Sequence, residues 1–503
     1  MKKNRVKTLL FLLLAVTVGT ALYAEPDAPP SAPENPPAQG GVAISASAKD
    51  IYATQCAGCH GVNFEGGPGG SLMMGPWKHG RSAEEIFAGI KAGYPDKGMA
   101  PYGPQLSDSQ IRSLTVMILE KQSGYAKSQI KVPRPVDNMT AQSKLHDYKI
   151  EPFVDGLKEP WSMAWMPDGR AIVTEKNGGL RIIENGKLLP EPIANVPATD
   201  TETEKQGGLF DVKLHPDFAK NQLIYLSFAD KQTAPKGFRL NMTRVIRAKL
   251  EGNALRDIKD IFVAPPVNYG ENGNFGGRMA FGRDGMLYFS IGDRGQRQTA
   301  ESQKLSTVTG KIHRLRDDGT VPDDNPFVNT PNAVKSIWAY GVRNPQGLCF
   351  NPDTGDLWET EHGMRGGDEL NVITKAANYG WPMTTYGTDY GGKMPSYSLN
   401  GKTAEAVTEM PGVTSPRTYW TPSIAVSGIE FYTGDLFPKW KGNLFVTSLV
   451  ASELRRIEIV DGKVVDQEVI FRGLGRLRFI VTGPDGALYV ARPDRISRIV
   501  PAN

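Results

Sequence analysis

Gly483-Pro484-Asp485-Gly486-Ala487-Leu488-Tyr489-Val490, near the carboxyl end of the chain, joins a tight turn to an apolar strand. Asp-Gly pairs favour the turns that link antiparallel strands. Related phrases occur five more times, at residues 166–173, 215–225, 282–289, 351–358 and 440–446. A pair of β-sandwiches would also use such hairpins, but the sixfold recurrence favours a repeat architecture. The phrases therefore predict an all-β, six-bladed β-propeller over residues 148–503.

Residues 1–24 have the basic, apolar and small-residue regions of a secretory signal peptide. The apolar run is about 14 residues long, shorter than the roughly 20 that a membrane-spanning helix needs, so cleavage near Ala24 is favoured over anchoring. We expect a periplasmic protein with no stable membrane span after cleavage. The leader carries Lys2, Lys3, Arg5 and Lys7, which account for the whole net charge of +4. A neutral mature chain argues against nucleic-acid binding.

Changes in composition divide the chain between the leader and the propeller into three segments. Residues 25–46 are rich in proline, which predicts an extended linker that lets the next domain stand off or swing. Residues 47–122 predict a small all-α domain, in which residues 106–111 resemble an N-cap that opens a helix whose apolar face holds Ile111, Leu114 and Ile118. A polar linker over residues 123–147 completes the division.

The helical domain begins with Cys56-Ala57-Gly58-Cys59-His60. This is the attachment motif of covalent haem c, in which both thiols bond to the haem vinyl groups and the histidine ligates the iron. The second axial ligand is expected further along. Met99, before the last helix, resembles the axial methionine of small cytochromes c; the other candidates are Met73, Met74 and His79. The motif predicts a cytochrome c domain and leaves Cys349 as a buried thiol, without a disulfide framework.

Six ordered phrases of the second domain resemble the soluble PQQ-dependent aldose sugar dehydrogenases. They lie at residues 206–218, 277–295, 340–348, 361–371, 378–382 and 476–478. The resemblance covers most of residues 148–500 and implies PQQ and calcium as cofactors. PQQ carries three carboxylates and an ortho-quinone, which arginine and calcium are suited to bind.

The resemblance also assigns site residues. The positions that contact PQQ are Gln206, Arg343, Asn344, Arg476 and Arg478. Gly363 and Met364 match the backbone carbonyls that hold calcium beside the quinone, and Glu369 with the backbone of Tyr379 matches a second, structural calcium site. Because Arg476 and Arg478 alternate at strand period, both guanidinium groups should lie on one face.

Asn274 occupies the position of the family's catalytic histidine. An amide cannot take a proton at neutral pH. Asp293, which would orient that histidine, is retained, so the catalytic candidates are Asn274, Asp293, Arg343 and His362. The alternatives for the base are His362, Asp293, Glu271 and His313. A second departure is Val450, which stands where some members carry a cofactor-binding lysine.

Together these features predict a quinohaemoprotein dehydrogenase that oxidises an aldose sugar, aldehyde or alcohol. Electrons would pass singly to its haem c and then to a downstream respiratory acceptor. The alternative is a propeller that lost catalysis and binds a carbohydrate or a partner, which leaves the cytochrome as the only redox centre. A lactonase would fit the fold but neither the haem nor the paired arginines. Loops of about residues 390–425 are expected to shape the substrate mouth.

Overall fold

The computed structural model describes residues 47–75, 77–129, 132–201, 206–233, 239–265, 273–295 and 299–502. The predicted signal peptide, the proline-rich linker and Glu271 lie outside these ranges. The described residues belong to one compact unit. None of the helices found among them has the length and apolar character needed to cross a membrane.

The front domain is helical. Helix α1 (Ala48–Ile51) continues through a π turn (Tyr52–Cys56) into α2 (Ala57–His60), and it is followed by α3 (Ala83–Ala92), a 3-10 turn (Pro95–Lys97) and α4 (Asp108–Gln129). Ser47 and Ser82 begin α1 and α3 with capping boxes. The predicted apolar face of α4 is confirmed, because Ile111, Leu114 and Ile118 are buried in the core of this domain.

The predicted linker over residues 123–147 is partly built into its neighbours. Helix α4 continues to Gln129, and β1 (Thr140–Gln142) pairs with β2 (Asp147–Asp155). Between them the Pro133 carbonyl accepts a hydrogen bond from the Arg472 amide at 3.0 Å, and Asp137 pairs with Arg492 at 3.0 Å. The polar segment that was expected to be a linker therefore makes defined contacts with the β domain.

Antiparallel sheets form the second domain. Blade one contains β3 (Pro160–Trp165), β4 (Ala171–Glu175), β5 (Leu180–Glu184) and β6 (Lys187–Leu188). Blade two contains β7 (Leu209–Leu214), the short helix α5 (Phe218–Asn221), β8 (Leu223–Thr233), β9 (Arg239–Glu251) and β10 (Ala254–Val263). Blade three contains β11 (Gly276–Phe281), β12 (Leu287–Ile291), β13 (Lys311–Leu315) and β14 (Ile337–Tyr340), with a 3-10 turn at Glu301–Gln303.

The remaining blades follow the same plan. Blade four contains β15 (Pro345–Phe350), β16 (Leu357–Glu361) and β17 (Asp368–Ile373), then an inserted hairpin of β18 (Ser396–Leu399) and β19 (Lys402–Glu405), then β20 (Thr418–Trp420). Blade five contains β21 (Val426–Phe431), a 3-10 turn (Pro438–Trp440), β22 (Leu444–Ser448), β23 (Glu453–Val460) and β24 (Lys463–Arg472). Blade six contains β25 (Ile480–Thr482), β26 (Leu488–Ala491) and β27 (Arg495–Pro501), completed by β2 and β1.

Each of the six recurring phrases lies between the first and second strands of one blade. The phrase at residues 483–490, for example, joins β25 to β26, and the one at residues 282–289 joins β11 to β12. The six-bladed propeller is therefore confirmed, and the alternative of two β-sandwiches is wrong.

The ring closes where the two ends of the β domain meet. Strand β2 pairs with β27 from Tyr148↔Pro501 to Asp155↔Arg495. Tyr148 of β2 packs in one buried cluster with Trp440, Phe445 and Leu488, which joins blades five and six. The first and last parts of the β domain are thus joined within one sheet, which closes the ring.

The first strand of each blade contacts the first strand of the next blade in five of the six cases, from β3·β7 to β21·β25, so these strands surround the central axis. Because the second strand of each blade is antiparallel to the first, loops entering first strands and loops leaving second strands open at the same end. We call this end the mouth, and define it by the loops that enter β7, β11, β15 and β25 and those that leave β12 and β16.

Candidate active site

The residues assigned by resemblance lie in the loops of the mouth. Gln206, Asn274 and Arg343 shortly precede β7, β11 and β15, and Arg476 and Arg478 shortly precede β25. Asp293 follows β12, while His362 and Gly363 follow β16. Propeller topology thus gathers residues that are up to 272 positions apart in sequence, from Gln206 to Arg478.

Asn274 and Asp293 form a hydrogen-bonded pair at the mouth. The Asn274 Nδ2 donates to Asp293 Oδ1 at 2.8 Å, and the Asn274 backbone amide donates to Gln206 Oε1 at 2.9 Å. Asp293 is 1% exposed and also accepts from Trp381 Nε1 at 2.8 Å. Asn274 adopts a left-handed backbone conformation with φ of 56°, which asparagine tolerates. The carboxylate that would orient a histidine therefore orients the amide instead.

Arg343 links this pair to the loop after β16. Its Nη1 donates to the His362 carbonyl at 2.9 Å and to the Gly363 carbonyl. Its guanidinium carbon lies 5.2 Å from the centre of the Trp381 ring. The Arg343 Nε is buried and has no hydrogen-bond partner among the described residues. One edge of this cation is thus available to an additional acceptor.

Arg476 and Arg478 bring further positive charge to the mouth. The Arg478 guanidinium lies 5.6 Å from the Trp161 ring centre, and Arg278 stacks on the same ring at 3.9 Å. Burial and the neighbouring charges of Arg278 and Arg476 lower the pKa of Arg478 to about 9. In the part of the chain that the structure describes, no carboxylate forms an ion pair with Arg343, Arg476 or Arg478. Cations that are crowded and unpaired favour an anionic ligand.

These features fit PQQ. A planar tricarboxylate needs several guanidinium groups, and the mouth supplies Arg343, Arg476 and Arg478. Two buried tryptophans, Trp161 and Trp381, lie against the guanidinium groups of Arg478 and Arg343. The Gly363 carbonyl, which Arg343 now contacts, could serve as an oxygen ligand for calcium.

His362 is a weak candidate for the catalytic base. Its Nε2 lies 2.6 Å from the Val426 carbonyl, so this nitrogen carries the proton and donates it. Burial and the charge of Arg343, followed by those of Arg478 and Arg476, lower the pKa of His362 to about 3. A group with such a pKa holds a proton poorly near neutral pH.

His313 has a structural role. It is fully buried on β13, with Nδ1 2.9 Å from Ser336 Oγ and Nε2 2.9 Å from the Val308 carbonyl. Burial lowers its pKa to about 3. Both ring nitrogens are engaged within the protein, which leaves neither for a substrate. Val450, at the position where some members of the resembled family carry a lysine, follows β22 and is 67% exposed.

A cluster of buried carboxyl groups lies behind the mouth in blade four. Glu359, Glu361 and Glu369 are all buried. The Asn371 Nδ2 donates to Glu359 Oε2 at 3.1 Å and to Glu369 Oε2 at 3.3 Å. Glu361 accepts hydrogen bonds from the backbone amides of Arg343 and Asn344 and so holds the arginine loop. Burial raises the pKa of Glu369 to about 8 and those of Glu359 and Glu361 well above their ordinary values.

Two oxygen atoms in this carboxyl cluster accept no hydrogen bond from the described residues and are free to bind a cation. Glu359 Oε1 and Asn371 Oδ1 are buried and lack a hydrogen-bond partner among the described residues. As they stand, no three His, Cys, Asp or Glu side chains in the described ranges converge on a single ion position. The donor set is nevertheless the all-oxygen type that calcium prefers. Tyr379, which the resemblance matches to the same site, is buried, and burial raises its pKa to about 12, with a smaller contribution from Glu359.

The front domain is arranged to bind a haem. His60 Nδ1 lies 3.0 Å from the Gly70 carbonyl, so Nδ1 carries the proton and Nε2 is left for a metal. The Tyr102 hydroxyl donates to the Gln55 carbonyl at 2.9 Å, which ties the Met99 loop to the Cys-containing segment. The buried Trp77 Nε1 lacks a partner among the described residues and could donate to a haem carboxylate.

The candidates for the second axial ligand differ in their surroundings. Met99 and Met73 both pack against the core of the front domain. Met74 is 44% exposed, and the His79 ring stacks on Tyr94 with centroids 3.8 Å apart. These contacts favour Met99 or Met73 over the other two.

The structure adds residues that the sequence did not single out. Trp161, Arg278, Glu361 and Trp381 all contact or support the predicted cofactor residues. Arg278 and Trp381 stand inside phrases that carried the resemblance, so a signal existed for them. Glu361 also stands inside such a phrase, at residues 361–371, whereas Trp161, near the start of β3, has no such signal.

Two family models match the chain. The Glucose / Sorbosone dehydrogenase model matches residues 157–500. The model of cytochrome c oxidase, cbb3-type, subunit III matches residues 44–116. The two matches correspond to the propeller and to the helical front domain.

Relatives and solved structures agree with the match of the propeller to the Glucose / Sorbosone dehydrogenase model. The aldose sugar dehydrogenase YliI of Escherichia coli is 39% identical over 345 residues, which are 68% of this chain and 89% of that protein. The crystal structure of the soluble aldose sugar dehydrogenase from Escherichia coli in its apo form has a TM-score of 0.64 and 35% identity, covering 71% of this chain and 100% of that one. The PQQ-bound aldose sugar dehydrogenase of Streptomyces coelicolor has a TM-score of 0.55 and 25% identity, covering 70% and 98%.

The family match covers more than half of the chain, and the predicted resemblance is confirmed. The two family models also support the fusion of two domains. The chain belongs to the Glucose / Sorbosone dehydrogenase family and carries a cytochrome c domain in front of its propeller.

Proposed function

We propose that this protein is a periplasmic, PQQ- and calcium-dependent dehydrogenase that oxidises an aldose sugar, an aldehyde or an alcohol. It passes the electrons to a haem c bound by Cys56, Cys59 and His60, with Met99 as the second axial ligand, and then to a respiratory acceptor. The observation that carries the proposal is the group of unpaired arginines beside Trp161, Trp381 and the Gly363 carbonyl, in a chain that also has a haem-attachment motif.

Each assigned residue has a part in this proposal. Arg343, Arg476 and Arg478, with Gln206 and Asn344, bind the carboxylates and polar edges of PQQ. The carbonyls of Gly363 and Met364 would hold the calcium ion, which would polarise the quinone. When bound, PQQ supplies an electrophilic carbon that accepts hydride from the substrate. The protein's contribution is to fix both partners and to exclude water, as redox cofactors require.

Asn274 sets the chemistry apart from that of relatives with a histidine. Its side-chain oxygen can accept a hydrogen bond from a substrate hydroxyl, but it cannot remove the proton. Asp293, 2.8 Å from the Asn274 Nδ2, is the acidic group in contact with it and is the candidate acceptor of that proton. A substrate whose hydroxyl is more acidic, such as a hydrated aldehyde, depends less on a strong base.

Reconstitution tests the proposal. The purified protein, loaded with haem, is incubated with PQQ and calcium and then mixed with a panel of aldoses, aldehydes and alcohols. We expect at least one substrate to reduce the haem, seen as growth of its reduced absorption band, and no reduction without PQQ. If no member of the panel reduces the haem, the alternative gains support, in which the propeller binds a carbohydrate or partner and the cytochrome is the only redox centre. Asn274 is the observation that favours this alternative.

Calcium should stabilise the protein more at pH 8 than at pH 5. Burial raises the pKa of Glu369 to about 8 in the folded protein, compared with 4.5 in the unfolded chain. As pH rises from about 4.5 to 8, this carboxyl group ionises in the unfolded chain but not in the calcium-free fold, so the calcium-free fold loses stability. Calcium binding favours the ionised carboxylates. We expect EGTA to lower the melting temperature by about 5 °C or more at pH 8 and by less than about 2 °C at pH 5.

The matched control for this prediction is Glu369→Gln, which keeps the shape of the side chain but cannot ionise. This variant should lose the calcium-dependent shift at pH 8. A shift of the same size at both pH values would contradict the role given to the carboxyl cluster.

A further inference from the structure

Helix α4 of the haem domain is buried on two opposite faces. Residues 111, 114 and 118 form the stripe that packs into the domain's own core. Residues 113, 116 and 120 have the same i, i+3, i+7 spacing but lie on the other side of the helix. Ser113 and Val116 are 4% and 2% exposed, and the Glu120 side chain is 13% exposed. In a free helical domain this second stripe would face water.

The propeller covers the second stripe through blade four. The Met394 backbone amide donates to Ser113 Oγ at 3.2 Å, a contact buried on both sides. Arg365 forms an ion pair with Glu120 at 3.3 Å. At one end of the contact, Arg112 Nη1 donates to Thr408 Oγ1 at 3.4 Å. These propeller residues lie between β16 and β20, in and around the inserted hairpin.

Arg365 also belongs to the mouth loop. It follows Gly363 and Met364 directly, and the Gly363 carbonyl accepts a hydrogen bond from Arg343. Its backbone amide and carbonyl pair with those of Thr388, at 3.0 and 3.3 Å, which fixes the loop against the insertion. One residue thus connects the surface under α4 with the loop proposed to hold calcium.

Open space borders the contact. Two clefts of about 570 and 590 Å³ remain between the domains, and α4 lines both of them. The second cleft is bounded by Ala57, next to Cys56, on one side and by Arg365 on the other.

We propose that Ser113, Val116 and Glu120 of α4, with Arg365 and residues 388–394 of the propeller, form a fixed docking surface that holds the haem domain beside the mouth for electron transfer within one chain. Arg365 is the positioning residue of this surface. The proposed docking differs from the swinging haem domain that the proline-rich linker suggested.

The electron-transfer part of this inference rests on the proposed function, whereas the docking part does not. Oxidation of an alcohol releases two electrons and two protons. The electrons reduce the haem iron from Fe(III) to Fe(II) one at a time. A soluble one-electron redox protein outside the chain reoxidises the iron between them, and the protons pass to solvent.

Cysteine labelling tests the docking. In the haem-loaded full chain with Cys349→Ala, a maleimide reagent is reacted with Ser113→Cys or with Gly124→Cys. Gly124 lies on the same helix stripe three turns later and is exposed, with open space around it. We expect Ser113→Cys to react at least about tenfold more slowly than Gly124→Cys. Equal rates would overturn the docking surface, whatever the activity of the protein.

Charge reversal tests the role of Arg365. Glu120→Arg or Arg365→Glu alone should speed the labelling of Ser113→Cys and slow haem reduction by substrate about tenfold or more, while the double reversal restores both. Turnover of Glu120→Arg with a small dye acceptor, which bypasses the haem, should not change. If neither single reversal alters labelling or haem reduction, the assigned role of Arg365 is wrong. If Ser113→Cys is protected from labelling but no substrate reduces the haem, the docking surface is supported and the proposed function is contradicted.

Discussion

Replacing Asn274 by histidine should raise the rate of aldose oxidation by about 100-fold or more, because a positioned general base contributes roughly 10²–10⁴-fold. Asp293 already lies 2.8 Å from the side-chain nitrogen at this position and would orient the imidazole. Histidine also tolerates the left-handed backbone conformation found there. The measurement is kcat/KM for aldoses with PQQ, calcium and a dye acceptor.

The pH dependence of this variant adds a second readout. The rate of Asn274→His should fall as pH drops through the imidazole pKa, because the protonated ring cannot act as a base. Asn274→Gln, which keeps an amide, is the matched control and should show no gain. If the histidine variant binds PQQ normally but gains no activity, position 274 is not where the proton is removed in this protein.

Replacing Arg343 by alanine should weaken PQQ binding by about 100-fold. Hydrogen bonds to charged groups contribute roughly 1.5–3 kcal/mol each, and about 1.4 kcal/mol corresponds to a tenfold change in affinity. Arg343 has a buried Nε without a partner among the described residues, and its Nη1 also holds the Gly363 carbonyl. Titration of the apo-protein with PQQ can be followed by the fluorescence of the tryptophans at the mouth.

A surface arginine provides the control for this substitution. Arg170 is paired with Asp168 at 2.7 Å in a turn at the opposite end of blade one. Arg170→Ala should leave the affinity for PQQ unchanged. A loss of less than about threefold in Arg343→Ala, in a variant that melts at the wild-type temperature, would remove Arg343 from the proposed site.

Local patterns in the sequence predicted the repeating parts of the fold. Each Gly/Asp turn phrase depends on the backbone preferences of neighbouring residues, so each correctly marks the turn between the first two strands of a blade. The apolar stripe of Ile111, Leu114 and Ile118 likewise follows from helical spacing alone. Closure of the ring through β2 and β27 could not be predicted from local patterns, because it pairs Tyr148 with Pro501, which are far apart in sequence.

The mouth was predictable only in part. The arginines were assigned because they stand in recognisable phrases, and the structure places them in loops at one end of the propeller. The tryptophan surfaces depend on how side chains from different blades meet, which no local pattern encodes. The docking stripe of α4 was missed for a related reason, since Ser113 and Glu120 are residues typical of a solvent-exposed helix face.

Ring closure by β2 and β27 also has a consequence for the order in which the protein matures. Blade six pairs β27, the last strand that the structure describes, with β2 from the start of the β domain, whereas the core of the helical domain uses only residues 48–119. During synthesis the helical domain can therefore complete its core before β27 is available to close the propeller. The topology therefore favours folding of the helical domain before closure of the propeller.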